Sequence, residues 1–406
     1  MRWISTLRSE FWSHDVGRRI PRVKARLFAA FLLVPWTVPV QAQLAANYYL
    51  EKPTFAPGEP VFVYLKLSNT GPVAARSPGF DPELPMCSGN SIKLSRIPPS
   101  GPSCLTLFET NCNIQGHLPA GSVLLGPGEA TVERYLLNSA FEIGAPGNYL
   151  VEAEHREGRN PTVLPMRVEL RFRVDGDAGS VSGAELQPWV DQLGSDDLQM
   201  RREAARVLAS AASPALEEML LGFAKNPEFQ LYAPLALHRL NSPRSLQAMA
   251  DLVSSEPSTP DAARYLAETG DQKWYPVLLN ASVKNGKIVS DPDYAAELGG
   301  AKMLPVLVSL EKDPDSRLES VMAMGLTGSR EAIPILIELL KHPDPETSWR
   351  AYGSLNELTH RSDPLESQDN FHADAQYAKW SEWWNREGAT APIFKSSNCL
   401  ERPTEP

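Results

Sequence analysis

The stretches GDQKWYPVLL at 270–279, GGAKMLPVLV at 299–308 and GSREAIPILI at 328–337 are three copies of one pattern, spaced 29 residues apart. A looser copy begins 29 residues before the first of them. Every copy opens on asparagine or glycine, the residues that best tolerate the left-handed backbone with which many helices end. We therefore expect one helix to stop at each of four positions, Asn241, Gly270, Gly299 and Gly328.

Apolar residues recur at fixed distances after each stop. The fifth residue is Leu246, Tyr275, Leu304 or Ile333, and the eighth and ninth are apolar in every copy. Positions 5, 8 and 9 fall on one face of an α-helix. A proline at position 6 of the last three copies suits the first turn of that helix. Each unit is thus predicted to be a helix, a stop, a short turn and a second helix.

A single hairpin of this kind cannot bury its apolar face, whereas stacking on its neighbours removes that face from water. The sequence therefore predicts an α-solenoid of five or six units over 195–388, preceded by a linker and first solenoid helix at 176–194. The pattern resembles HEAT-type repeats of the short bacterial kind. That resemblance implies an extended binding surface, although a period of 29 is below the roughly 40 residues of longer HEAT units.

The N-terminal half alternates with a period of two instead. Strands are predicted where this alternation is regular, at Val61–Leu67, Ala130–Leu136, Asn148–Ala153 and Met166–Val174. Alternation of this kind indicates strands with one face buried and the other in water. Several short strands separated by turn signals are typical of an antiparallel β-sandwich, which we expect over 43–175.

Two strings carry a further resemblance. FAPGEPVFVYLKLSNTG at 55–71 and APGNYLVEA at 145–153 resemble bacterial immunoglobulin-like extracellular modules. The resemblance implies an Ig-like sandwich and no particular activity. Residues 76–120 depart from the pattern, since they hold several prolines and three cysteines. A Cys/Pro-rich insertion is expected there, and loops of this length are either functional or poorly ordered.

Residues 1–42 have the features of an export signal. Seven basic side chains accompany an apolar run at 27–40, and Val40 and Ala42 place small residues where a signal peptidase cleaves. The run is broken by two prolines and is shorter than the ~18 apolar residues of a membrane span, so a signal peptide is favoured over an uncleaved anchor helix. The mature chain is expected to begin at Gln43 and to be extracytoplasmic, either periplasmic or secreted.

The charge balance narrows the class of partner. The 406-residue chain has a net charge of -10, and residues 1–42 contribute +5, which leaves -15 on the remainder. Nucleic acids and anionic membranes attract proteins with basic surfaces. We therefore expect a protein partner, no nucleic-acid partner, and no membrane insertion once the signal is removed.

Four cysteines remain after the signal: Cys87, Cys104, Cys112 and Cys399. Export permits disulfides, and four cysteines allow three pairings. At least one bridge is expected among the first three cysteines, and Cys399 is a candidate partner for the one left over. The sequence has no C-x-x-C and no nearby histidine pair, so neither a zinc site nor another metal or cofactor is expected.

A polar row accompanies the repeats. Three residues after each stop stand Arg244, Lys273, Lys302 and then Glu331. Stacked hairpins would bring these residues to one edge, and basic side chains in the first turn of a helix oppose its dipole. One interpretation is that the row contacts an acidic partner. The other is a solvated edge, since exposed charge pairs contribute little to stability.

Tryptophans cluster near the C-terminus in the string WSEWW at 380–384. Trp380, Trp383 and Trp384 follow the i, i+3, i+4 spacing of one helix face. This helix is interpreted as a cap that seals the last repeat. The alternative is an aromatic platform on which Trp383 and Trp384 bind a sugar or a peptide. Residues 389–406 are predicted to be a tail.

The common catalytic motifs are missing from the sequence. It contains no H-E-x-x-H, no G-x-x-x-x-G-K-[ST] and no G-x-S-x-G. His360 and His372 flank two aspartates, Asp363 and Asp369, but without the spacing of metal ligands. Asp291 and Asp293 are interpreted as helix-start residues rather than calcium ligands. No catalytic residue is therefore predicted.

These observations favour a non-catalytic scaffold that binds a protein partner through the solenoid and the sandwich. Two alternatives remain open. One is a cell-envelope binder of glycans or peptides that uses the insertion or the tryptophan helix. The other is an exported enzyme whose site the sequence does not show.

Overall fold

A computed structural model describes most of the chain after the predicted signal. The described residues are 44–77, 90–97, 123–141, 143–155, 166–176, 183–255, 260–361 and 371–394. All of them belong to one compact unit, Gln41–Pro406. The predicted signal peptide and the four cysteines lie outside the described residues.

The N-terminal part of this unit is built from strands. They are β1 (Leu44–Leu50), β2 (Thr54–Phe55), β3 (Phe62–Asn69), β4 (Ala75–Ser77), β5 (Asn90–Ile97), β6 (Val123–Leu125), β7 (Ala130–Leu136), β8 (Gly147–His155) and β9 (Met166–Val174). One sheet has the order β1-β3-β7 and a second has the order β2-β9-β8-β5, while β4 pairs with β6. Strands lie at all four stretches that the alternation predicted.

The two larger sheets share one apolar core. Along β3, Val63, Leu65 and Leu67 are buried on the same side, as the period of two requires. They pack in one cluster with Val151 of β8 and Phe172 of β9 from the other sheet. Pairing is antiparallel throughout both sheets except between β2 and β9, which run parallel over two residues.

Strand β5 lies inside the stretch predicted to be an insertion. Its residues pair with Asn148–His155 of β8, and Ile92 and Leu94 belong to the buried core. Residues 90–97 are therefore an integral part of the second sheet. The surrounding prolines hid this strand from the sequence analysis, because turn signals on both sides left only a short alternating run.

The rest of the unit is helical. A short helix α1 (Leu137–Ala140) follows β7, and α2 (Gly183–Gln192) opens the helical part. Paired helices then follow: α3 (Leu198–Ala211), α4 (Glu217–Phe223), α5 (Ala233–Leu240), α6 (Pro243–Ser255), α7 (Pro260–Glu268), α8 (Tyr275–Ser282), α9 (Asp293–Gly299), α10 (Leu304–Leu310), α11 (Arg317–Leu326), α12 (Ala332–Leu339), α13 (Pro345–Thr359) and α14 (Ala373–Glu387). A small hairpin, β10 (Val283–Lys284) and β11 (Lys287–Ile288), separates α8 from α9.

The first helices of successive pairs pack on one another from α3 to α13. One continuous core links them to the second helices and runs from Leu186 to Trp383. The four residues that the sequence placed on the apolar stripe, Leu246, Tyr275, Leu304 and Ile333, all belong to this core or pack against it. The described residues thus form six helix pairs, within the range of five or six that was predicted.

Left-handed residues end the first helices as expected, with one shift. Positive φ angles occur at Asn241, Gly270 and Gly328, but the third stop is Gly300 rather than Gly299. Two further stops carry side chains, Ala212 at 43° and His360 at 44°. Alanine carries no signal of a left-handed conformation, whereas histidine is one of the non-glycine residues enriched there; the sequence analysis identified neither helix end.

Gly299 is required for a different reason. It is the last residue of α9, is buried and has a φ of -70°. A Cβ atom at this position would lie 2.3 Å from Cε2 of Tyr275. The periodic glycine therefore makes room for the aromatic ring at the start of α8, and its neighbour Gly300 supplies the turn.

We predict that Gly299→Ala lowers the free energy of unfolding by about 1–3 kcal/mol, the usual cost of overpacking a core. Urea unfolding followed by circular dichroism measures the change. Gly353→Ala is the matched control, because Gly353 is exposed in α13 and a Cβ there would meet nothing within 4 Å. The control is expected to stabilise the protein by about 0.5–1 kcal/mol through helix propensity. Equal effects of the two substitutions would contradict the proposed role of Gly299.

Candidate functional site

Arg244 and Lys273, the first two residues of the predicted row, have acidic partners within the chain. The guanidinium of Arg244 donates to both carboxylate oxygens of Glu218, and these hydrogen bonds lower the pKa of Glu218. The ammonium of Lys273 lies 2.9 Å from the carboxylate of Asp271 and 4.6 Å from the centre of the Trp274 ring. Both bases are exposed, so these pairs stabilise the fold only weakly.

Lys302 has a different environment. Its Nζ donates to the amide oxygen of Gln272 at 3.1 Å, a neutral group on the preceding repeat. Within the described ranges Lys302 forms no ion pair. At the fourth position Glu331 accepts a hydrogen bond from the hydroxyl of Ser329 at 2.6 Å. The row therefore exists as equivalent positions, but its members differ in the charge left for a partner.

The tryptophans of α14 face the last repeat. Trp380 and Trp383 are 2 % and 5 % exposed, and their rings meet edge to face at 5.3 Å. Trp384 is half-buried and packs beside Trp383. An open aromatic platform would need exposed rings. The arrangement instead has the form of a cap, in which the indoles cover the apolar end of the core.

A groove lies beside this cap, between the ends of α13 and α14. It has a volume of about 530 Å³. Its lining residues are Thr359, His360, Arg361, Trp383, Glu387, Thr390, Ala391 and Pro392. The guanidinium of Arg361 lies 5.4 Å and 5.1 Å from the ring centres of Trp380 and Trp383. The lining thus offers an aromatic wall, one cation, one carboxylate and hydroxyl groups to a small polar ligand.

The residues just after α14 are held in place. Arg330, from the turn before α12, donates to the carbonyl oxygens of Gly388 and Ala391. The amide of Phe394 donates to the carbonyl of Leu358 at 2.8 Å, and its ring stacks on His360 at 4.2 Å. Residues 389–394, the first part of the predicted tail, are therefore docked on the last repeat.

The other end of the helical stack abuts the strand-rich part of the chain. Phe62 and Leu136 on the outer side of the first sheet form a buried cluster with Val207 of α3. Trp189 of α2 stacks on Phe62 at 5.9 Å. Burial of these apolar side chains stabilises the contact between the two parts.

Polar contacts fix the orientation of the same junction. Arg134 of β7 forms an ion pair with Glu203 of α3 at 2.7 Å. Arg239 of α5 donates to the carbonyl of Phe141 at 2.9 Å and also to the carbonyl of Ser210. A guanidinium donates its hydrogen bonds in a fixed planar fork. Arg239 therefore fixes the positions of Phe141, α3 and α5 relative to one another.

A compact ionisable cluster lies on the first helices α5 and α7. Arg264 contacts the carboxylates of Asp261 and Glu268, each at 3.1 Å. Its guanidinium lies over the ring of Tyr265, and the same ring stacks on His238 at 4.2 Å. Burial lowers the pKa of His238 to about 4, and the charges of Arg239 and Arg264 add to the effect. His238 is therefore neutral at physiological pH.

The remaining polar candidates have local structural roles. The Oδ1 atom of Asp291 accepts a hydrogen bond from the backbone amide of Asp293 at 2.9 Å, as expected at a helix start. Burial, together with the nearby charge of Asp291, raises the pKa of Asp293 to about 7. His360 and His372, which flank two aspartates in the sequence, are among the described residues. Asp363 and Asp369 are not. In the described part, no three His, Cys, Asp or Glu side chains are grouped to hold a metal ion.

The hairpin between α8 and α9 is one feature that the sequence analysis missed. Its turn residues Asn285 and Gly286 both have positive φ, as a two-residue hairpin turn requires. The Asn-Gly pair between short apolar and polar alternations was the available signal. Lys287 reaches Asp315 at 3.1 Å and the Ile288 amide donates to Ser316, so the hairpin ties consecutive repeats together.

Comparison with known proteins agrees with the helical part. Residues 300–367 match the family model described as HEAT repeats. This range spans α10 to α13. No curated protein sequence matches the chain. Within the described ranges, the helices are all too short or too polar to cross a lipid bilayer.

The low pKa of His238 generates a pH prediction. The unfolded chain takes up a proton near pH 6.5, while the folded chain resists it down to about pH 4. Stability contributed by neutral His238 is therefore present above pH 6.5 and lost as the pH falls towards 4. One pKa unit corresponds to about 1.4 kcal/mol, and partial exposure reduces the full effect to about 1–2 kcal/mol.

Unfolding in urea at pH 7.5 and pH 4.5 measures this loss. His238→Gln is expected to remove it, so that the variant depends less on pH than the wild type. His372→Gln alters an exposed histidine at the start of α14 and is the control. An identical pH dependence in the wild type and His238→Gln would show that the imidazole does not contribute.

Proposed function

We propose that the protein is an exported, non-catalytic scaffold that binds a protein partner through the surface of its helical repeats. The observation that carries the proposal is the uninterrupted stack of helix pairs, part of which matches HEAT repeats. Such stacks are commonly used for protein interaction, because they present a long surface rather than a deep chamber.

The junction supports a role for the sandwich in the same surface. Phe62 and Arg134 fasten the first sheet to the helices and Arg239 of α5 fastens Phe141, so the two parts are held together. We assign the sandwich to the immunoglobulin type on the resemblance of residues 55–71 and 145–153. In this proposal it extends the binding surface beyond the first repeat.

The proposal of export rests on the N-terminal pattern at residues 1–42. A non-catalytic role rests on the described polar groups, which bond chiefly to one another. Arg264 is held by two carboxylates and Arg330 by two carbonyls. These contacts have stabilising roles and do not assemble a nucleophile with a base.

Site-specific photocrosslinking in the producing cells tests the scaffold. A photoreactive residue is placed at Gln247 on α6, at Ser309 on α10 or at Met322 on α11, all of which are exposed. Discrete adducts are expected from the repeat positions, since a bound partner lies within reach. Lys93 is exposed on β5, in the second sheet rather than the sheet that packs on α3, and is the control position. The scaffold proposal fails if no repeat position gives an adduct above the background without irradiation.

The groove beside the cap favours a second candidate function, the binding of a cell-envelope peptide or glycan. Trp383 and the charged residues that line the groove could contact such a ligand. We expect a ligand in the groove to alter tryptophan emission when muropeptides are titrated into the protein. Thr390→Phe should abolish the change by filling the groove, whereas Ala389→Phe, on the adjacent exposed residue, should preserve it. Unchanged emission in the wild type would exclude this candidate for muropeptides.

A further inference from the structure

The second helices of three successive pairs expose an apolar stripe. Each of α8, α10 and α12 presents an exposed proline followed by a half-exposed β-branched residue. We call these six residues the outer stripe: Pro276, Val277, Pro305, Val306, Pro334 and Ile335. The equivalent positions of α6 hold Gln247 and Ala248, so the stripe begins at α8.

Folding explains only part of the stripe. The prolines suit the first helical turn, where the missing amide costs nothing. The β-branched residues beside them pack partly against the core, are not favoured by helix propensity, and leave the rest of their apolar surface in water. The same pair of positions therefore exposes apolar surface on three successive repeats. Exposed apolar surface with polar borders is characteristic of protein-binding sites.

Among the described residues, basic side chains without an ion pair lie at the ends of α8 and α10, whereas the nearby Asp271, Glu311 and Asp313 are each held in an ion pair. Helices α8 and α10 contain no charged residue along their lengths, YPVLLNAS and LPVLVSL. Lys302 precedes α10, Lys312 follows it and Lys284 follows α8. All three lysines are exposed, and within the described part of the chain none of them forms an ion pair. Positive charge thus borders the apolar residues in a protein that is acidic as a whole.

Other bases near the repeats are less available. Arg244 is bound by Glu218, Lys273 by Asp271, and Lys287 by Asp315. A partner would have to displace those carboxylates. Its acidic groups would therefore bind more favourably to Lys284, Lys302 and Lys312. The charge pattern therefore selects α8 and α10 from the whole row of second helices.

We propose that the outer stripe on α8 and α10 binds an acidic protein segment, whose aliphatic side chains pack on Pro276, Val277, Pro305 and Val306 while its carboxylates pair with Lys284, Lys302 and Lys312. This inference rests on the proposed scaffold function and assigns its partner a chemistry. An anionic membrane fits less well, since the net charge of the chain repels it and the stripe lacks exposed aromatic anchors.

Crosslinking from Ser309, which is exposed on α10 between the two lysines that flank this helix, tests the proposal. The double variant Lys302→Glu with Lys312→Glu is expected to reduce the adduct about fivefold or more, because two attractive contacts become repulsive. A control double variant, Lys66→Glu with Lys225→Glu, makes the same change of charge at exposed lysines outside the stripe. It should leave the adduct unchanged. Sequencing of the crosslinked peptide should show an excess of Asp and Glu.

Circular dichroism and thermal unfolding establish that each variant is folded. If the charge-reversal variant does not fold, Lys302→Gln with Lys312→Gln takes its place, with a smaller expected reduction of about twofold. The inference would be overturned if the folded Lys302/Lys312 variant gave as much adduct as the control double variant. A crosslinked peptide without acidic residues would also overturn it.

The outcomes separate this inference from the scaffold proposal. Adducts from Gln247 or Met322 without any from Ser309 would overturn the outer-stripe assignment and leave the scaffold intact. No adduct from any repeat position would overturn both. Cosedimentation of the purified protein with phosphatidylglycerol vesicles, lost in the Lys302→Glu and Lys312→Glu variant, would replace the protein segment by a membrane surface and so refute the inference.

Discussion

Each helix pair has apolar residues on more sides than it can bury alone, and the fold depends on neighbouring pairs to cover them. The closest contact shows how strict this dependence is. A Cβ added to Gly325 of α11 would lie 2.9 Å from the Cα of Ser354 on α13, so the two first helices meet almost backbone to backbone. Such a contact leaves no room for a larger side chain at Gly325, where the two helices meet. The repeating core is therefore the element from which the rest of the structure follows.

A stack held together in this way needs both ends closed. The strand-rich part closes one end, where Phe62 packs on Trp189 and Val207. The tryptophan helix closes the other, where Trp380 and Trp383 are buried. The first and last parts of the helical region thus have a structural role. The surface that we propose for a partner lies along the exposed sides of the helix pairs between them.

The sequence predicted those features that one residue type encodes. Asn241, Gly270 and Gly328 end helices because few other residues tolerate a positive φ, and this preference is visible in one chain. Ala212 and His360 end helices in the same conformation, but alanine carries no local signal for it and the preference of histidine is weaker than that of glycine. The alternating strands were predicted because their period of two in apolar residues is also visible in a single chain. Strand β5 was not, because its pairing with β8 is a long-range property.

The same distinction applies to the candidate surfaces. The spacing of Arg244, Lys273 and Lys302 showed that they occupy equivalent positions, and the structure places each one at the start of a second helix. The sequence did not predict which of these positive charges is neutralised, because the groups that contact Arg244 and Lys302 come from the preceding helix pair. They are the carboxylate of Glu218 and the neutral amide of Gln272. A periodic sequence therefore defines a regular frame, while the contacts between neighbouring copies decide where along that frame charge remains for a partner.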